Sequence, residues 1–303
     1  MTDPVNEIIP RQPKDENLRN LLIELSKGIE EIVNFGSNIL KWDLETAKGS
    51  DELLPPILLF RNFLELIDSI SILIQKSSID PCKIILRGVL ETYFSLEYIF
   101  EKDTYDRSMA FMVWHAHKNL KWYKKLDIDT PDGKQFQEQI NKDKSFIKMD
   151  LPKFPGLSIA IENVESLLKR TEYQKAENEY QRLMNEREKN PNWYRLFNGP
   201  KSIQELATQL NLTGLYDGLY RLWSGPAHGT EILQGKLRGN KDNIASIVQI
   251  RYPKDAKTVA LFVYTLSLKA FRIYFQKRLP NKEKELNDWT ISSMREFYSK
   301  LIK

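Results

Sequence analysis

The stretch KIILRGVLETYFSLEYIFE, residues 83–101, is apolar on nearly every side when wound as a helix. Such a helix has almost no face to give to water, so it must be central and the rest of the chain must cover it. Two charges interrupt it, Arg87 and Glu91, four residues apart and therefore on one face. An unpaired charge in an apolar interior costs several kcal/mol, so these two demand partners. They form either an internal ion pair or a polar cluster that serves a site.

The flanking sequence supplies the cover. Leu18, Leu21, Leu22, Leu25, Ile29, Ile32 and Val33 form a stripe at three-four spacing, predicting a helix from Asn17 to about Ala47. Pro55 and Pro56 suit the first turn of the next helix, whose apolar face holds Phe60, Leu64 and Ile67. Asp80 as cap and Pro81 as first-turn residue open the central helix. Thr104 or Asp106 starts another, through about Leu126.

Residues 127–156, rich in charge, proline and glycine, read as a loop carrying a short helix. Residues 157–189 read as one long charged helix, a solvated arm or an oligomer contact. Ser202 and Glu205 make a capping box for a short helix. Residues 232–239 read as a brief continuation, and IASIVQIRY (244–252) is β-like. Helices over Asp255–Leu279 and about Glu283–Ile302 finish the chain. The expectation is an all-α bundle of about nine helices with at most one short β segment. It is a single domain over 17–303, with a loose arm at 1–16 and a charged excursion at 127–192.

With 41% hydrophobic and 11% aromatic residues the chain can fill such a core. Its net charge of +4 is too mild to argue for nucleic acid by itself. A lone cysteine, Cys82, excludes an internal disulfide framework and a multi-cysteine zinc site, and fits a reducing compartment. The first residues lack a signal-peptide pattern. TVALFVYTLSL, the longest strongly apolar run without a charge, is too short to span a bilayer. A cytoplasmic protein with no membrane partner is expected. Gly-rich phosphate loops, G-x-S-x-G elbows and CxxC pairs are absent, which removes the usual support for nucleotide-dependent, serine-hydrolase and zinc-ribbon activities.

Chemistry concentrates at LYDGLYRLWSGPAHGT, residues 215–230. Tyr216, Tyr220 and Trp223 recur at helical spacing. Ser224, Gly225 and Pro226 then break the helix, and His228 follows. His115 and His117, two apart on a helix, are turned by about 200° and cannot both serve one metal. A metal site would need Glu91 or Glu97 with His228 and one of them. Without an HExxH pattern, no metal or other cofactor is called for.

Two segments together, RGVLETYFSLEYI and NWYRLFNGPKSIQELATQL running into 215–230, resemble a widespread bacterial family of helical domains of unknown function, over roughly residues 55–275. The matching positions are Arg87 and Glu91, Trp193 and Tyr194, and Tyr220, Ser224 and His228. Trp223 stands where that family carries Leu. More loosely, Arg221 followed by His228 resembles the motif of HEPN domains, helical ribonucleases of toxin and phage-defence systems. That resemblance implies metal-independent cleavage of RNA, with a homo-oligomer pairing two such segments. His228 would carry the proton, since its pKa lies near neutrality. Arg221 would fork onto the phosphate. Tyr220 or Ser224 would donate to it, and Arg87 and Glu91 would orient His228. Two other readings stand beside this one: Ser224 and His228 as helix caps around a filled core, and a non-catalytic interaction or sensor protein that binds a protein partner.

Overall fold

A computed structural model describes residues 13, 15–46, 54–145, 150–186, 188, 190–221, 223, 237–239 and 245–302. The described residues cluster into two compact units, one from 1–102 with 203–303 and the other from 103–202. All the large elements are helical. Eleven α-helices have seven residues or more among the described residues.

In the first unit, α1 (Glu16–Thr46), α2 (Leu54–Gln75) and α3 (Ile79–Glu101) pack in succession. The Asp15 carboxylate accepts from the backbone N–H groups of Asn17 and Leu18, satisfying donors that a helix start leaves orphaned. The stripe of α1 is the buried face: Leu22, Leu25, Ile29, Ile32 and Ile39 are 0–1% exposed. The helix over 83–101 is central as expected, with Leu86, Val89, Leu90, Phe94, Leu96 and Ile99 inside. Its start differs by a residue or two. Ser77 takes a left-handed φ of 62°, the helix begins at Ile79, and Asp80 lies in the first turn. There Asp80 pairs with Lys83 at 3.1 Å.

After α8 (Ile203–Gln209) comes a π-helical turn, Tyr216–Arg221. Two three-residue strands follow, β1 (Leu237–Gly239) and β2 (Ala245–Ile247), antiparallel with Leu237 opposite Ile247. The expected helical continuation over 232–239 is thus corrected at its end, where Leu237–Gly239 pairs as strand. Such a segment fits a hairpin because the branched run after it offers a partner ladder. α9 (Ala256–Arg278) packs on α1, α3 and α11 (Arg295–Ile302), and α10 (Glu283–Trp289) joins α11 through a π turn over Thr290–Met294. By length and composition α9 could cross a membrane; in this fold Val259, Ala260, Val263, Leu266, Ala270 and Phe271 are fully buried in the core. Phe60 against Tyr274 at 4.4 Å, and Phe35 stacked on Trp289 at 4.2 Å, fill the centre.

The second unit is built on α4 (Thr104–Leu126), which packs against α5 (Pro131–Lys142), α6 (Leu157–Leu168) and α7 (Gln174–Asn185). The single charged helix expected over 157–189 is two helices, separated by an extended Arg170 and a short turn over Thr171–Tyr173. Leu168 and Tyr173 are both buried in one cluster. Five residues of straight helix turn through about 500°, roughly 140° off alignment, so one rod cannot bury both. This stretch is not a solvated arm. Tyr173, Ala176 and Leu183 are 0–1% exposed against Met109, Val113 and Ala116 of α4.

Candidate functional site

In the first unit the central helix meets the π turn. Lys83, Arg87 and Glu91 follow one another at four-residue spacing along α3. The guanidinium of Arg87 lies over the Tyr220 ring, 4.3 Å from its centroid. Lys83 lies over Trp223 at 5.9 Å. Tyr220 is therefore level with Arg87, and Trp223 lies one turn nearer the start of α3, the reverse of their order along the chain.

The π turn explains the aromatic spacing. Its wider winding lets Tyr216 and Tyr220 stack face to face at 5.1 Å and 18°. Trp223 is buried and meets Phe262 of α9 edge-on at 5.5 Å. The core-filling role read for Trp223 is thus met, while Tyr220 stays half-buried with its ring on a cation.

The charges of α3 are not sealed in the interior. Glu91 is exposed and Arg87 is half-buried, which corrects the expectation of two buried charges. The reason is position: the face they share is met by the π turn, whereas the other faces of α3 carry the core. Burial pushes the Tyr220 hydroxyl above the ordinary tyrosine range. Its hydrogen bond to Glu91 adds to this, and Arg87 opposes it. Tyr220 is therefore a neutral donor at physiological pH, aimed at Glu91. Arg87 Nε is buried with no hydrogen-bond partner among the described residues.

Of the six residues singled out from the sequence, Arg87, Glu91 and Tyr220 come together. Arg221 is exposed and pairs with Asp217 at 3.5 Å on its own turn. Ser224 and His228 lie outside the described residues. The residues that sequence reasoning missed are Lys83 and Asp255. Lys83 reaches from α3 to Asp255 at 2.8 Å, just ahead of α9, and Asp255 holds a left-handed φ of 69°. The i−4 spacing of Lys83 from Arg87 was a usable signal; the bond to a residue 172 positions away was not.

The two other histidines belong to the second unit. His117 Nε2 is 2.7 Å from Glu177 Oε2, and its ring stacks on Tyr180 at 4.1 Å. His115 is exposed. Among the described residues no group of three His, Cys, Asp or Glu side chains is placed to hold a metal ion. Trp193 and Tyr194 are structural neighbours here. Trp193 is buried edge-on against Phe111 of α4 at 5.3 Å, and Tyr194 accepts from Asn192 at 2.9 Å.

No curated protein and no solved structure matches the chain. A family model does, over residues 54–243, which hold Arg87, Glu91, Trp193, Tyr194, Tyr220, Ser224 and His228. That match covers more than half of the chain, and the protein belongs to a family of unknown function, DUF5677.

Proposed function

We propose that the protein engages a phosphate-bearing ligand at the Arg87–Tyr220–Glu91 cluster, and that the ligand is RNA, cleaved without a metal ion. The observation that carries this reading is the half-buried guanidinium held over the ring of a neutral tyrosine, beside a carboxylate that the tyrosine hydroxyl bonds. An arginine fork suits phosphate oxygens, a neutral phenol donates to them, and a carboxylate or histidine accepts the 2′-hydroxyl proton. His228, eight residues beyond Tyr220, is the proton carrier in this reading, with Arg221 and Ser224 as phosphate contacts. A second copy of the chain would complete the site, and the HEPN resemblance is what suggests a toxin or defence setting in the cytoplasm.

The exposed Arg221, paired with Asp217, favours a second reading, a non-catalytic interaction or sensor protein with a protein partner. Incubating purified chain with a mixed-sequence RNA, with and without EDTA, separates the two. EDTA-insensitive cleavage that falls at least a hundredfold in His228→Ala and in Arg87→Ala supports the first reading, on the scale of one lost acid–base group. An intact RNA, or cleavage indifferent to His228→Ala, overturns it.

A further inference from the structure

The second unit holds a cleft of about 610 Å³ between α4, Tyr180 of α7 and the loop at 190–192. Its size is that of small-molecule sites. Its lining is chemically one-sided: three lysines, two histidines and three aromatic rings, without a single Asp or Glu.

The lysines are Lys118, Lys121 and Lys125. Spaced by three and four, they stand along one face of α4. None has an acidic partner among the described residues. Two other lysines of the unit do have such partners, Lys124 with Glu165 at 2.9 Å and Lys175 with Asp106 at 2.5 Å. Instead the cleft lysines are held by neutral groups. Lys118 lies over the Trp114 ring at 4.7 Å, and Lys121 donates to the Asn190 side-chain oxygen at 3.0 Å. Asn190 has a left-handed φ of 55°, a conformation asparagine tolerates better than most residues. Such lysines are positioned yet electrostatically unspent, as an anion site requires.

The aromatic groups supply flat faces. Trp122 is 52% exposed, large for a tryptophan with no partner surface to explain it. The Tyr180 ring stacks on His117 at 4.1 Å, and Glu177 holds His117 in turn. Phosphate on cations and a planar ring on exposed aromatics are the two halves of a nucleotide.

We infer that this cleft binds a nucleotide, the base against the Trp122 and Tyr180 side and the phosphate on Lys118, Lys121 and Lys125. The same chemistry is offered by a free mononucleotide and by one unit of a single RNA strand. This site lies wholly within the second unit and does not rest on the cluster of α3.

The test uses the full chain and its tryptophan fluorescence, titrated with AMP, adenosine and a single-stranded RNA tetramer, the last in the His228→Ala background. Expected are saturable quenching by AMP and binding of adenosine at least tenfold weaker. Lys118→Gln/Lys121→Gln should lose at least tenfold for AMP and little for adenosine, and Trp122→Leu should weaken both. Each variant must melt with the wild type, which separates lost binding from lost folding. A tetramer at least tenfold tighter than AMP identifies the strand as the source of the nucleotide; an equal or weaker one identifies the free nucleotide. No saturation by any of the three up to about 5 mM, an affinity too weak to matter, overturns the inference. So does an affinity for AMP unchanged in the lysine variant. The cleft variants lie outside the Arg87–Tyr220–Glu91 cluster, so loss of AMP binding in Lys118→Gln/Lys121→Gln and loss of RNA cleavage in His228→Ala are read separately.

Discussion

Arg87 and Tyr220 are joined at 4.3 Å, guanidinium over ring, and this contact ties the central helix to a π turn that begins 115 residues after Glu101. Tyr220→Phe keeps the ring under the cation and removes the hydroxyl that bonds Glu91; about 1 kcal/mol of stability should be lost. Tyr220→Leu removes the ring as well and should cost roughly a further 0.5–2 kcal/mol. Urea unfolding of the two variants checks the order. Equal losses would mean that the ring contact contributes nothing.

Asp43 is fully buried, and two partners 231 and 235 positions away satisfy it. Tyr274 donates to Oδ2 at 2.5 Å and Arg278 Nη2 to Oδ1 at 2.7 Å. Asp43→Ala strands a largely buried arginine, and breaking such a pair costs on the order of 3–5 kcal/mol. Asp43→Ala with Arg278→Met should recover a large part of that loss in thermal melts, because no lone charge is left inside.

On the alkaline side, burial pushes the Cys82 thiol up to about 12 from its usual 9.0. Burial likewise raises the hydroxyls of Tyr93, with Glu97 adding to it, and Tyr274, with Asp43 adding to it. A group whose folded pKa is raised stabilises fully below its unfolded pKa and loses that contribution as pH rises. Stability should therefore fall from about pH 9–10 upward, where thiols and phenols of an unfolded chain begin to ionise. Melting of the wild type and Cys82→Ala between pH 7 and 11 should show the difference between them shrinking with pH. Cys82 should also resist thiol reagents at pH 8 until the chain unfolds.

Acid acts on the second unit. Glu179 lies below the ordinary carboxylate range because of Arg182, and it also accepts from the backbone N–H of Phe197 at 3.0 Å. Phe197 and Asn198 have left-handed φ values of 57° and 60°, so this bond holds a turn that a bulky residue does not favour. Burial raises Glu177, but hydrogen bonds from His117 and Gln181 outweigh it and leave it low as well. Depressed carboxylates stabilise above their unfolded pKa of about 4.3 and lose that below it. Glu179→Gln should cost about 1–2 kcal/mol at pH 7 in urea unfolding, with the gap to wild type closing by pH 3. A gap independent of pH would refute the assignment.

Gly36 of α1 faces the Leu64 side chain of α2. A Cβ there would fall 2.3 Å from Leu64 Cδ2 and 3.2 Å from Phe271 Cζ. Alanine would gain about 1 kcal/mol in helix propensity, while overpacking costs about 1–3 kcal/mol. Gly36→Ala should be destabilising on balance, and Leu64→Val in the same chain should relieve it. A melting temperature above that of the wild type would show that Leu64 simply moves aside.

Much of the architecture was legible in the residues. The stripe of α1, the proline opening of α2, the all-round apolarity of α3 and the bounds of α9 follow from local rules: periodicity, capping and the need to remove apolar surface from water. The family assignment was legible too, through residues 87, 91, 193, 194, 220, 224 and 228. What the residues could not disclose were contacts across long separations. Whether Glu91 is buried depends on which face of α3 the π turn covers. Whether 157–189 is one helix or two depends on α4 demanding both Leu168 and Tyr173 in one core. The partners of Asp43 and Lys83, and the acid-free lining of the cleft beside Lys118 and Lys121, arise only when distant segments meet. Local composition determined the helices and the central place of α3. Tertiary packing alone decided which charges were paired and which have no acidic partner among the described residues, because pairing is a property of distance in space and not of spacing along the chain.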